Sequence, residues 1–129
     1  MESLYINSYP DLVFFPIVDF KYQTGVCEIS GESYMEDTYS FYEPVIIWLR
    51  EYMQEKKPII FNVKLTYFNT SSSRFILEML DLFKKYLNEG NQVIVNWYYK
   101  KDDPDMLTEI NELIDESGVD INIYTVTLQ

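Results

Sequence analysis

Apolar and polar positions alternate from Pro16 onward, through Ile17, Val18, Asp19, Phe20, Lys21 and Tyr22. Period two predicts a strand with one wet face. Gln23-Thr24-Gly25 reads as a turn, and Val26-Cys27-Glu28-Ile29 as a second strand, so the two make a hairpin that Gly31 ends. From Glu36 to about Gln54 the period changes to that of a helix, with Tyr42, Val45, Ile46, Leu49, Tyr52 and Met53 on one stripe. Pro44 falls inside this stretch, so the regular helix is expected to begin near it, where a missing N–H does no harm. Ile59 to Phe68 is the strongest strand, and its apolar start suits the centre of a parallel sheet. Thr70 to Ser73 follow, then a helix that buries Phe75, Ile76, Met79, Leu80, Phe83 and Leu87, with Gly90 as a left-handed cap. Val93 to Tyr99 is a further strand. Asp103-Pro104-Asp105 opens the next helix with a cap, a first-turn proline and an acid against the dipole. Gly118 ends that helix, and Ile121 to Val126 form a last strand.

The predicted order is therefore ββαβαβαβ. An N-terminal hairpin is followed by βαβαβαβ, with a mostly parallel mixed sheet, right-handed crossovers and about three helices. Residues 1–11 lack any period and read as a loose arm; residues 12–129 read as a single α/β domain. A length of 129 residues suits one domain, and 47% hydrophobic residues suffice for a packed core. Aromatic residues reach 17%, so much of that core must be rings and some tyrosines must be wet.

Charge removes several classes of function. The net charge is −11, and lysines are scattered as the isolated pairs 56–57, 84–85 and 100–101 and the single residues Lys21 and Lys64. Nucleic acid is thus not an expected partner, because phosphate binding needs clustered Lys and Arg. The acidity suits a basic protein partner, or simply keeps a cytoplasmic protein in solution. The N-terminus lacks a signal-peptide pattern, and no apolar run approaches the roughly 18 residues of a membrane span. A cytoplasmic protein without membrane contact is expected. The single cysteine, Cys27, lies in a strand and reads as a small buried apolar group rather than a reactive thiol.

There is no histidine, so the commonest general base and metal ligand is missing. A Ser-His-Asp or Cys-His site cannot be assembled, nor a zinc set. The four glycines form neither a P-loop nor a dinucleotide fingerprint. Asp102, Asp103 and Asp105 could hold Mg²⁺ through oxygen ligands, but a helix cap beside a solvated loop is the simpler account. Glu32, Glu36 and Asp37 read as dipole compensation at another helix start. No catalytic residue, metal or cofactor is expected.

What remains is the junction Tyr67-Phe68-Asn69-Thr70-Ser71-Ser72-Ser73. Four hydroxyl residues stand where the free N–H groups of a helix start should lie, and capping needs one. In an open α/β sheet, function collects at the carboxyl ends of strands. This junction is such an end, and Tyr99 to Asp105 is a second, expected nearby. A hydroxyl there can cap the helix, help hold an anion, or accept a phosphoryl group.

The runs GVCEISGESYMEDTYSFYEPVIIWL (25–49), YFNTSSSRFILEMLDL (67–82) and NWYYKKDDPDM (96–106) resemble the SiaC family of bacterial regulatory phosphoproteins. That resemblance spans about residues 16–117. It implies a STAS-like fold, similar to anti-sigma factor antagonists, and phosphorylation of the threonine in the Asn-Thr-Ser-Ser motif, here Thr70. Asn69, Ser71, Ser72, Ser73, Arg74, Asp102 and Asp103 would form the phosphosite neighbourhood and partner surface. Ser71 to Ser73 would supply the cap, with Asn69 as its shoulder. The resemblance further implies a dedicated kinase with a histidine-kinase-like ATPase fold and a metal-dependent serine/threonine phosphatase. The unphosphorylated form would bind and activate an effector such as a diguanylate cyclase, raising cyclic di-GMP and promoting aggregation or biofilm. Two other readings stand beside it: a constitutive scaffold that uses exposed tyrosines, and a Mg²⁺-dependent hydrolase built on Asp102, Asp103 and Asp105.

Overall fold

The computed structural model describes residues 1–7 and 15–127. Its strands are β1 (Leu4–Ile6), β2 (Ile17–Phe20), β3 (Val26–Ser33), β4 (Ile59–Phe68), β5 (Val93–Lys100) and β6 (Ile121–Val126). Its helices are α1 (Thr38–Met53), α2 (Thr70–Asn88) and α3 (Pro104–Ser117). The six strands form one sheet in sequential order. β1 and β2, and β2 and β3, pair antiparallel; the later neighbours pair parallel. The expected single α/β unit, with its hairpin followed by a parallel run and three helices, is what the chain forms.

Sequential order with crossovers of one hand places all the helices on the same face. Burial along β4 follows from that. Ile59, Phe61, Val63 and Leu65 are buried, whereas Ile60, Lys64 and Thr66 face outward. The expectation that β4 is covered on both faces is therefore corrected: Ile60 lies on the open face, where no helix layer covers it. That open face is knit together by side chains. Asn122 donates to Asn96 at 3.0 Å, Asn96 donates to Asn62 at 2.9 Å, and Lys64 pairs with Glu28 at 2.8 Å.

The covered face holds the core, rich in rings as composition required. Phe20, Phe41, Tyr42, Tyr52, Phe61, Phe83 and Trp97 are among the largest fully buried side chains. Full burial of an aliphatic or aromatic side chain of this class contributes roughly 1.5–3 kcal/mol. Cys27 lies among them, as expected of an apolar group. Burial pushes its thiol up to about 12, far from reactivity at neutral pH.

Three boundaries depart from the sequence expectations. The arm at 1–11 contains a strand, β1, which pairs Leu4 with Phe20 and Ile6 with Val18; residues 8–11 of that arm lie outside the described residues. α1 begins at Thr38 rather than near Pro44, because Asp37 caps it by accepting from the Ser40 N–H at 3.1 Å. Pro44 sits inside α1 on its exposed side, where the lost rung is tolerable. β3 does not end at Gly31 but runs to Ser33. At Gly31 the register with β4 shifts, pairing Gly31 with Leu65 but Glu32 with Tyr67.

That bulge sets up the site. The unpaired Thr66 donates to the Gly31 carbonyl at 3.2 Å, and the alternation of β4 slips by one residue. Tyr67 therefore faces outward and Phe68 turns into the core against Trp97. Ser33 and Phe68 end their strands side by side, so α2 starts directly beside the end of β3.

Candidate functional site

Asn69 is the hinge between β4 and α2. Its extended backbone makes it the N-cap, and its side-chain oxygen accepts from the Ser72 N–H at 2.8 Å. Its own N–H donates to the Ser33 carbonyl at 3.0 Å, and its side-chain amide donates to the Met35 carbonyl at 3.3 Å. The cap expected among Ser71 to Ser73 is thus Asn69. The capping residue must still be extended, and the serines are already helical.

The four hydroxyl residues that follow have different surroundings. Thr70 and Ser71 are exposed in the first turn of α2. Ser73 is half-buried, and its hydroxyl donates to the Thr70 carbonyl at 2.7 Å. Ser72 is completely buried. It donates to the Ser33 carbonyl at 3.1 Å and accepts from the Ser33 hydroxyl at 2.7 Å. The Ser33 hydroxyl also meets the Tyr42 hydroxyl at 2.6 Å, so α1 joins the same cluster. Burial pushes the Tyr42 phenol up to about 12, with the Ser33 and Ser72 hydroxyls pulling the other way.

Thr70 stands at the rim of a groove of about 410 Å³ between α2 and α3, with Asn69 and Arg74 beside it. The opposite wall is acidic: Glu109, Glu112 and Glu116. Burial raises the Glu109 pKa, and the charges of Glu112, Asp103 and Asp105 push the same way. Sequence reasoning missed these glutamates. Their spacing of three and four along α3 was the available signal, since it places them on one face.

Asp102 and Asp103 do not line this groove. Pairing between β4 and β5 stops at Val63–Trp97, although β4 runs on to Phe68 and β5 to Lys100. Beyond Val63–Trp97 the two strands share no ladder pairs, and Asp103 reaches the groove through its charge on Glu109. Asp103 caps α3 by accepting from the Met106 N–H at 3.1 Å, and Asp102 is exposed in the preceding turn. Among the described residues, no three His, Cys, Asp or Glu side chains converge as a metal set. The hydrolase reading thus has no assembled ligand set behind it.

One exposed ring, Tyr67, lines the groove with Thr70, and two others are linked to Tyr67 or to α2; sequence reasoning did not place them. Tyr34 and Tyr67 are 52% and 47% exposed and meet edge to face at 5.4 Å. Tyr39, 62% exposed, approaches Phe75, which stacks on the buried Tyr42 at 5.3 Å. Rings held open by packed neighbours are common centres of protein interfaces.

The sequence profile of the SiaC family regulatory phosphoprotein matches residues 12–126. The chain belongs to the SiaC family of regulatory phosphoproteins. Its fold is that of solved family structures. Apo-SiaC from Pseudomonas aeruginosa superposes with a TM-score of 0.81 at 23% identity, covering 96% of this chain and 99% of that one. SiaC from the same organism, in complex with the diguanylate cyclase SiaD that it activates, superposes with a TM-score of 0.87 at 23% identity, covering 95% and 99%. An uncharacterized protein of Pseudomonas aeruginosa strain UCBPP-PA14 is 29% identical over 87 residues, 67% of this chain and 69% of that protein. Among the described residues, no helix of this SiaC-family chain is long and apolar enough to cross a membrane.

Proposed function

We propose that this chain is a cytoplasmic partner-switch protein without catalysis of its own, controlled by phosphorylation of Thr70. The observation that carries the proposal is the placement of Thr70 in a family of regulatory phosphoproteins. It is an exposed hydroxyl at the first position of α2, beside the Asn69 cap, and it shares its groove with the exposed Tyr67, against which Tyr34 packs. The unmodified protein binds and activates an effector, by similarity to SiaC a diguanylate cyclase, and so raises cyclic di-GMP. A kinase with a histidine-kinase-like ATPase fold adds the phosphate, and a metal-dependent phosphatase removes it.

The switch follows from electrostatics. The bare hydroxyl lets a partner pack closely over Thr70 and the tyrosines. A phosphate brings about −1.5 to −2 charges into that contact. Leaving such a charge unpaired in a buried interface costs about 3–5 kcal/mol. At tenfold per about 1.4 kcal/mol, affinity falls on the order of a hundred- to a thousandfold. Glu109, Glu112 and Glu116 across the groove offer the phosphate no relief, and Arg74 is the cation that shares the groove.

The test is intact-mass analysis after incubation with the kinase and ATP, together with effector binding by wild type and Thr70→Asp. One added phosphate, absent in Thr70→Ala, and weakened binding by Thr70→Asp are expected. Transfer that persists in Thr70→Ala removes the site. Equal effector affinity for modified and unmodified protein favours the constitutive scaffold, which the exposed tyrosines would equally serve.

A further inference from the structure

Four adjacent hydroxyl residues, Thr70 to Ser73, stand at this corner, yet a single-site switch needs one of them chosen. The fold treats them unequally, and the difference starts beneath the helix. Ser72 is fully buried in a chain of hydroxyls that crosses three elements. A hydroxyl carries one proton, so the contacts fix its direction. Tyr42 on α1 donates to Ser33, the Ser33 hydroxyl donates to Ser72, and Ser72 donates back to the Ser33 carbonyl at the end of β3. Each of the three protons is used inside the protein.

We infer that this buried Tyr42–Ser33–Ser72 chain is a specificity device that selects Thr70 for phosphorylation. The inference rests on the phospho-switch reading above. Ser72 cannot be modified while its oxygen is held inward, and its anchorage also fixes the rotation of the first turn of α2. Each residue turns the helix by about 100°. With Ser72 inward, Thr70 comes to the mouth of the α2–α3 groove and Ser71 points elsewhere; Thr70 and Ser73 line that groove, whereas Ser71 does not. Ser73 is withdrawn by its bond to the Thr70 carbonyl. Only Thr70 is then both free and set beside the groove. Transfer moves the γ-phosphoryl group of ATP onto the Thr70 oxygen. The bond to the β–γ bridging oxygen breaks, ADP leaves, and the threonine proton passes to a base of the kinase. Tyr42, Ser33 and Ser72 touch neither ATP nor the transferred group. They are positioning residues.

The decisive variant is Ser33→Ala, which removes the central hydroxyl; Tyr42→Phe removes only the outermost one and keeps the ring stacked on Phe75. Two readouts are needed. Without any kinase, amide hydrogen exchange of Ser72 and Ser73, whose N–H groups are held by Asn69, should quicken at least tenfold in Ser33→Ala, with residues 79–83 unchanged. With the purified kinase and ATP, tandem mass spectrometry should place the phosphate of wild type on Thr70 alone. Ser33→Ala should spread it onto Ser72 and its neighbours, or lower kcat/KM at Thr70 about tenfold. Tyr42→Phe should move both readouts the same way by less, and Ser33→Thr, which keeps a hydroxyl, should restore single-site transfer. Unchanged exchange in Ser33→Ala overturns the positioning role whatever the kinase does. So does transfer to Thr70 alone at the wild-type kcat/KM. Wild type that takes no phosphate on Thr70 overturns the phospho-switch reading, and the selection role with it.

Discussion

The side-chain oxygen of Asn69 accepts the Ser72 N–H at 2.8 Å, which makes an amide rather than a hydroxyl the cap of α2. Removal of a cap of this type costs about 0.5–2 kcal/mol. Asn69→Ala should sit at the upper end of that range, because it also frees the Met35 carbonyl from its amide partner. Asn69→Asp keeps the acceptor and should lose less than half as much. Urea unfolding of the two variants separates the cap from the tether; equal losses would mean that the Met35 contact dominates.

Thr70→Asp should leave the fold intact while it weakens effector binding. The charge lands in the first turn of α2, where the positive end of the helix dipole favours it by about 0.3–1 kcal/mol. The melting temperature should stay level or rise slightly. A drop of several degrees would show that Thr70 is part of the scaffold, and any lost binding would then reflect unfolding.

Gly25 has φ of +73°, and a Cβ there would lie 2.3 Å from the Pro58 carbonyl oxygen and 2.5 Å from the Tyr52 hydroxyl. The first of these is backbone and cannot swing aside. Gly25→Ala should therefore destabilise by more than about 1 kcal/mol, the reverse of the gain that Gly→Ala gives at compatible sites. Chemical denaturation with an unchanged m-value checks it.

How much of this was legible in the sequence depends on the physical source of each feature. α2 and α3 were readable because a single apolar stripe and a terminal glycine define each; Gly118 does adopt the left-handed cap. β1 was not readable. It spans three residues, and its place comes from pairing with β2 rather than from any period of its own. The bulge at Thr66 hides in an otherwise regular strand, yet it decides that Phe68 is buried and Tyr67 exposed. Ser72 was readable in principle. It lies one turn before Ile76, on the stripe that continues through Met79, Leu80 and Phe83, so its burial follows from helix phase. Its polar neighbours masked it. That Asp102 and Asp103 do not line the Thr70 groove was not legible for another reason: the early end of β4–β5 pairing at Val63–Trp97 leaves no local trace in either strand.

Alkaline pH should destabilise the protein in two stages. Burial raises Cys27 from 9.0 and Tyr42 from 10.0, each to about 12 in the folded chain. A raised folded pKa means that the unfolded chain loses its proton first. The stability from each group is complete below its unfolded value and is lost as pH rises through the folded one. Stability should thus decline from about pH 9 through Cys27 and more steeply above pH 10, where Tyr42 joins it. Cys27→Ala should remove the earlier stage, and Tyr42→Phe its share of the later one. Urea midpoints measured every half unit from pH 8 to 11 test the order; a decline in Cys27→Ala that begins as early as in wild type would assign the first stage to other groups.

Tyr67, which shares the Thr70 groove, and its neighbour Tyr34 should carry much of the effector affinity if the switch works by close packing. Tyr34 and Tyr67 brace each other edge to face while half of each ring stays exposed, so neither pays much entropy on docking. Rings of this kind, truncated to alanine at an interface centre, commonly cost 2 kcal/mol or about thirtyfold in affinity. Tyr34→Ala and Tyr67→Ala should each weaken effector binding by that order with little change in melting temperature, since both lie outside the core. Because the two rings touch, the double variant should lose less than the sum of the singles. Calorimetric titration of the four proteins against the effector gives the coupling. Wild-type affinity in the double variant would move the interface away from this corner. A phosphate on Thr70 would then have to act at a distance, and direct charge burial would no longer explain the switch.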